Sequence, residues 1–115
     1  MSQVPDIDPS IFDELFCRIG PELLPICSAF LREAEAFFDF VQANHHFLDF
    51  SRAAEIAHRH QGGALSLGFS RIGRGFGALA DSYRQHQLAD QQTISDLRLL
   101  LSHLSIEIEN RFDHG

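Results

Sequence analysis

Residues 23–41 read Leu23-Leu24-Pro25-Ile26-Cys27-Ser28-Ala29-Phe30-Leu31-Arg32-Glu33-Ala34-Glu35-Ala36-Phe37-Phe38-Asp39-Phe40-Val41, with apolar positions 23, 27, 30, 34, 37 and 41 spaced 4, 3, 4, 3, 4. That interval lays one apolar stripe along a helix of about 20 residues, the length of a bundle helix. Either Pro25 stands near the start of this helix, or the helix begins at Pro21 and Pro25 removes a hydrogen bond and kinks it.

Working outward, the same period recurs. Upstream, Asp8-Pro9 is an aspartate cap followed by a first-turn proline, and Ile11, Phe12, Leu15, Phe16 and Ile19 form one face before Gly20-Pro21 stops the helix. Downstream, residues 44–49 read as a turn, after which Ser51 can cap a third helix with the stripe Ala53, Ile56, Ala57, His60, Ala64 and Leu67. A fourth segment starts at Ser70 and carries Ile72, Phe76, Leu79, Ala80 and Tyr83; Gly73, Gly75 and Gly77 weaken it as a helix. Asp90 begins a last helix with Ile94, Leu97, Leu101, Leu104 and Ile108. The expected fold is all-α: an antiparallel four-helix bundle with a short additional N-terminal helix, one domain spanning 1–115.

Composition narrows the chemistry. All nine basic residues are arginine, which excludes lysine Schiff bases, phosphate-loop lysines and lysine general bases. Sixteen acidic residues leave a net charge of −7, which repels nucleic acid and anionic lipid. Cys17 and Cys27 have no Cys-x-x-Cys spacing and read as a reduced, buried pair. No leader and no spanning segment is expected, so the sequence suggests a cytoplasmic protein without a membrane partner.

Seven histidines remain to be sorted. Position 58 lies roughly 160° around the third helix from position 60, so His58 should point outward and His60 into the core. His45, His46, His86, His103 and His114 read as solvated surface residues. His58 stands apart because Gln61 and Gly62 follow it by one turn on the same face, and Gly62 leaves the imidazole open to a bulky partner.

The stretch Ala57-His58-Arg59-His60-Gln61-Gly62-Gly63-Ala64-Leu65-Ser66-Leu67-Gly68 resembles the signature of histidine-containing phosphotransfer (HPt) domains. That pattern is alanine-histidine, a variable residue, an apolar residue, lysine, glycine, a small residue and a glycine ten positions after the histidine. Ala57, His58, Gly62, Gly63 and Gly68 match it, and the helix layout extends the likeness over the chain. The resemblance implies that His58 accepts a phosphoryl group from a receiver phospho-aspartate or a sensor or hybrid histidine kinase and passes it to a response regulator. Neutral imidazole suits that role as a nucleophile near pH 7. It also implies a phosphate environment of Arg59, Gln61 and Gly62, and partner docking at Phe38, Glu55, Gly62 and Leu65. No cofactor or metal of its own is implied; Mg²⁺ would arrive with the receiver domain. Two positions depart from the pattern: Gln61 replaces the lysine and His60 the apolar residue. The alternative is a degenerate domain that docks receivers or kinases without relaying phosphate.

Phenylalanine is in excess at eleven residues, and Phe38, Phe40, Phe47 and Phe50 gather near the corner between the second and third helices. There they form either an exposed docking patch or buried core. Three rival sites are weaker. Glu55-x-x-His58 matches the Glu-x-x-His pattern of carboxylate di-iron sites, but those need a second such pair and two further glutamates, and no second pair exists. The glycines between Gly68 and Gly77 follow a helix rather than a strand and lack the phosphate-loop lysine, so they are expected to serve tight helix packing through Gly73 and Gly77. A DNA recognition helix fails on charge.

Overall fold

The computed structural model describes residues 5–113, and every regular element in it is helical. The α-helices are α1 (Pro9–Ile19), α2 (Leu23–Ala43), α3 (Phe50–Ser66), α4 (Ser70–Arg84) and α5 (Gln91–Asp113), with 3-10 turns at Gly20–Glu22 and His45–Phe47. His114 lies outside the described residues.

Local chemistry sets the boundaries. The Asp8 carboxylate accepts the Ser10 N–H at 3.0 Å and caps α1, with Pro9 in the first turn. Gly20 then takes φ +71°, and a 3-10 turn absorbs Pro21 before α2. Pro25 falls at the third residue of α2, where its missing N–H would have had no intrahelical partner, so the kinked alternative is not realised. Asp49, not Ser51, caps α3, its carboxylate accepting the Arg52 N–H at 3.1 Å. The C-terminus of α3 closes with Gly68 at φ +85°: the Gly68 N–H donates to Leu65 C=O and the Phe69 N–H to Ala64 C=O. A Cβ at Gly68 would stand 3.1 Å from the Asp8 carbonyl oxygen, so a side chain is disfavoured there on two counts.

The stripes read from periodicity in α2, α4 and α5 are the core, whereas Ile11 and Ile19 of the α1 face are exposed and Ile56 and Leu67 of the α3 stripe are half-buried. Leu23, Cys27, Phe30, Ala34, Phe37 and Val41 of α2, Ile72, Phe76, Leu79, Ala80 and Tyr83 of α4, and Ile94, Leu97, Leu101, Leu104 and Ile108 of α5 are all buried. Helix α2 packs on α3 and α5, and α4 packs on α3 and α5, so these four helices enclose one core. The α3–α4 hairpin is the tightest junction. A Cβ on Gly73 would sit 2.9 Å from Leu65 Cδ2, and one on Gly77 2.6 Å from Gln61 Nε2. Arg98 of α5 clasps α2, bonding Glu35 at 2.8 Å and Asp39 at 2.6 Å while its guanidinium lies over the Phe38 ring. Helix α1 is less enclosed: only Phe12 is buried, set edge-on to Phe112 of α5 at 6.1 Å.

Two expectations are corrected. Cys17 is exposed on α1 while Cys27 alone is buried, because α1 covers the core with one narrow face. Phe38 is fully buried and stacks on Phe76 at 5.5 Å with a 6° interplanar angle, so it cannot meet a partner. Phe40 and Phe50 are half-buried against the core, and of the four corner phenylalanines Phe47 alone is exposed.

Candidate functional site

Burial divides the two α3 histidines. His60 is 9% exposed, with its ring edge-on to Phe37 at 5.6 Å and Phe76 at 5.2 Å. Desolvation lowers its pKa below 6.5, and Arg59 adds to the lowering, while the Glu33 backbone and carboxylate oppose it. Neutral imidazole is thereby the form that suits the core, which explains how a histidine takes the place of an apolar residue.

His58 is exposed, and its helix is held by Ala53, His60 and Ala64, which are buried on the side turned away from it. It lines an open groove of about 390 Å³ between α3 and the end of α4, with Ser51, Ala54, Glu55, Tyr83, Arg84 and His86. Tyr83 belongs to the buried floor; desolvation pushes its phenol up to about 12, so it stays a neutral hydroxyl. Phe50 backs the groove, its ring 6.4 Å from Tyr83 and 5.3 Å from His86.

The cation on this groove is Arg84, which sequence reasoning passed over, whereas Arg59 is not among its walls. Arg84 pairs with Asp81 of its own helix at 3.2 Å with both side chains exposed, a contact worth little, so the guanidinium is available to another anion. The hairpin register could have revealed it: Gln61 faces Gly77, and moving two turns back on α3 and two turns forward on α4 arrives near Ala54 and Arg84. Gln61 itself is half-buried against Gly77, laid along α4.

Gly62 and Leu65 lie exposed further along α3, and Glu55 is exposed one turn before His58. A Cβ on Gly62 would meet nothing within 4 Å, and one on Gly63 would make only ordinary contact with the Phe30 ring at 3.8 Å. Internal packing therefore requires neither glycine, in contrast to Gly75, whose Cβ would collide with the buried Leu97. Among the described residues no group of three or more His, Cys, Asp or Glu side chains is placed to hold a metal ion, so Glu55 and His58 have no partners for a di-iron site. None of the described helices is long and apolar enough to cross a membrane.

The groove thus offers the exposed His58 imidazole, the exposed Arg84 guanidinium, a second imidazole from His86 and a carboxylate from Glu55, over the buried Ala54 and Tyr83. Such a set can bind an oxyanion and accept a phosphoryl group on nitrogen. No protein-family model, curated protein or solved structure matches the chain.

Proposed function

We propose that the chain is a histidine phosphotransfer protein of a cytoplasmic phosphorelay, built as an antiparallel four-helix bundle with a short leading helix. The observation that carries this reading is the placement of His58: exposed, on a helix held by buried alanines, in a groove whose far wall supplies Arg84. The open space over Gly62 supports it, since a glycine that no internal contact requires leaves room for another protein beside the imidazole.

In this reading the unprotonated nitrogen of His58 attacks the phosphorus of a receiver's aspartyl phosphate. A P–N bond forms as the P–O bond to the carboxyl breaks, the aspartate leaves as carboxylate, and the ring keeps its other N–H as a phosphoimidazolium. Transfer to a second receiver reverses these bonds. Phosphoryl transfer needs positioning and charge stabilisation rather than further covalent chemistry. Arg84 supplies charge from this chain; Mg²⁺ and an acidic pocket belong to the receiver. Glu55, Gly62 and Leu65, exposed along α3, form the surface that meets it, and a sensor or hybrid kinase is the upstream source.

The test is transfer of label from phosphorylated receiver domains to wild type and His58→Gln. Wild type is expected to gain acid-labile, base-stable label and the variant none. Label persisting in His58→Gln refutes the assignment of the site. Wild type that binds receivers without gaining label supports the docking-only alternative, and wild type that does neither refutes the reading.

A further inference from the structure

Helices α3 and α4 end in the same hydrogen-bonding motif but with different residues at the left-handed position. After α3 the residue is Gly68. After α4 it is His86, the one described non-glycine residue with positive φ, at +57°. The His86 N–H donates to Tyr83 C=O at 3.0 Å and the Gln87 N–H to Ser82 C=O at 2.9 Å, so the motif is complete. Glycine is the favoured occupant because a Cβ is disfavoured at this φ. A histidine there gives up backbone stability for its side chain, and that side chain lines the His58 groove, its ring set 5.3 Å from Phe50.

The geometry points to His86 as a phosphoryl-binding residue of the His58 site, its imidazole N–H donating to an oxygen of the phosphoryl group on His58; this rests on the function proposed above. The helix-terminating motif holds its backbone, and the Phe50 ring beside its imidazole limits the positions the donor can take. Its effect follows from the chemistry of hydrolysis. Water attacks phosphorus, the P–N bond breaks, both water hydrogens end on orthophosphate and neutral imidazole is restored. In a loose transition state the three phosphoryl oxygens carry less negative charge than in the phosphohistidine. A donor fixed beside them therefore holds the ground state more tightly and lengthens its lifetime.

The experiment measures the half-life of label on His58, after receiver-mediated labelling, in wild type, His86→Gly and His86→Asn, alongside thermal unfolding of each. His86→Gly relieves the backbone while removing the donor, so its melting temperature should hold or rise while the half-life falls roughly three- to tenfold, the scale of one ordinary hydrogen bond's net contribution. His86→Asn, which tolerates the same φ with a shorter side chain, should remain folded and also lose lifetime. Unchanged half-lives in labelled variants overturn the role of His86 and leave the relay reading standing. Half-lives that fall only with a collapse in melting temperature in both variants assign His86 to packing on Phe50 and overturn it too. Wild type that takes no label overturns the relay reading, and the inference with it.

Discussion

The contrast between Gly62 and Gly75 makes a sharp test of how this chain spends its glycines. Both lie inside helices, where replacement by alanine contributes about 0.5–1 kcal/mol of stability through reduced backbone freedom in the unfolded chain. At Gly62 nothing within 4 Å opposes a methyl group, so Gly62→Ala should realise the whole gain. At Gly75 the new Cβ would collide with Cδ2 of Leu97, a core residue of α5 that is 8% exposed and has little room to move. Overpacking of that kind costs about 1–3 kcal/mol. The helix term is common to both variants, so it cancels, and their separation should equal the overpacking cost, roughly 1–3 kcal/mol with Gly62→Ala the more stable. For a domain near 100 residues this is a gap of at least about 4 °C in melting temperature. Urea denaturation followed by helical circular dichroism, with equal slopes in the two variants, measures it directly. A Gly62→Ala protein no more stable than wild type, or a Gly75→Ala protein stabilised as much as Gly62→Ala, would refute the reasoning. If Gly62 is kept for a partner, Gly62→Gln should also stay stable while taking label from a receiver more slowly than wild type.

Two further outcomes follow from burial. The His60 pKa is lowered by desolvation from its ordinary 6.5, so the unfolded chain binds the proton more readily and native stability falls as pH drops below that value. Between pH 7 and 5 His60→Leu should show a shallower loss of stability than wild type in pH-resolved urea melts, and an unchanged slope would refute the assignment. The Cys27 thiol is buried and pushed up to about 11, whereas Cys17 is exposed. A thiol-reactive probe should therefore label one cysteine in the native protein and both in denaturant, with Cys17→Ser abolishing the native reaction; native labelling in that variant would contradict the packing around Cys27.

The helices were legible because burial imposes a single period on them. Every stripe residue singled out in α4 and α5 is buried, and the roughly 160° between positions 58 and 60 separated the exposed histidine from the enclosed one. Period alone could not place Phe38, because α2 is covered on more than one side: Arg98 reaches across from α5 and seats its guanidinium over that ring, so a residue off the main stripe is also enclosed. Period does not choose the cap of α3 either, since Asp49 and Ser51 are both competent caps; Asp49 serves, and Phe50 becomes the first residue of the helix.

The partners of His58 were the least legible part, and the cause is general to helical hairpins. A linear motif reaches its own helix face through positions three and four residues away, so it brought forward Gln61 and Gly62. It carries no record of what the neighbouring helix contributes, which depends on the antiparallel register set by Gly73 and Gly77. That register brings Arg84 and His86 to His58 while laying Gln61 against Gly77. The missing lysine at position 61 is therefore a smaller loss than the motif suggests: in the proposed relay, positive charge reaches the phosphoryl group from α4 rather than from α3. A lysine at 61 would take the place Gln61 holds against Gly77, outside the groove's walls, whereas removing Arg84 would take away the groove's arginine.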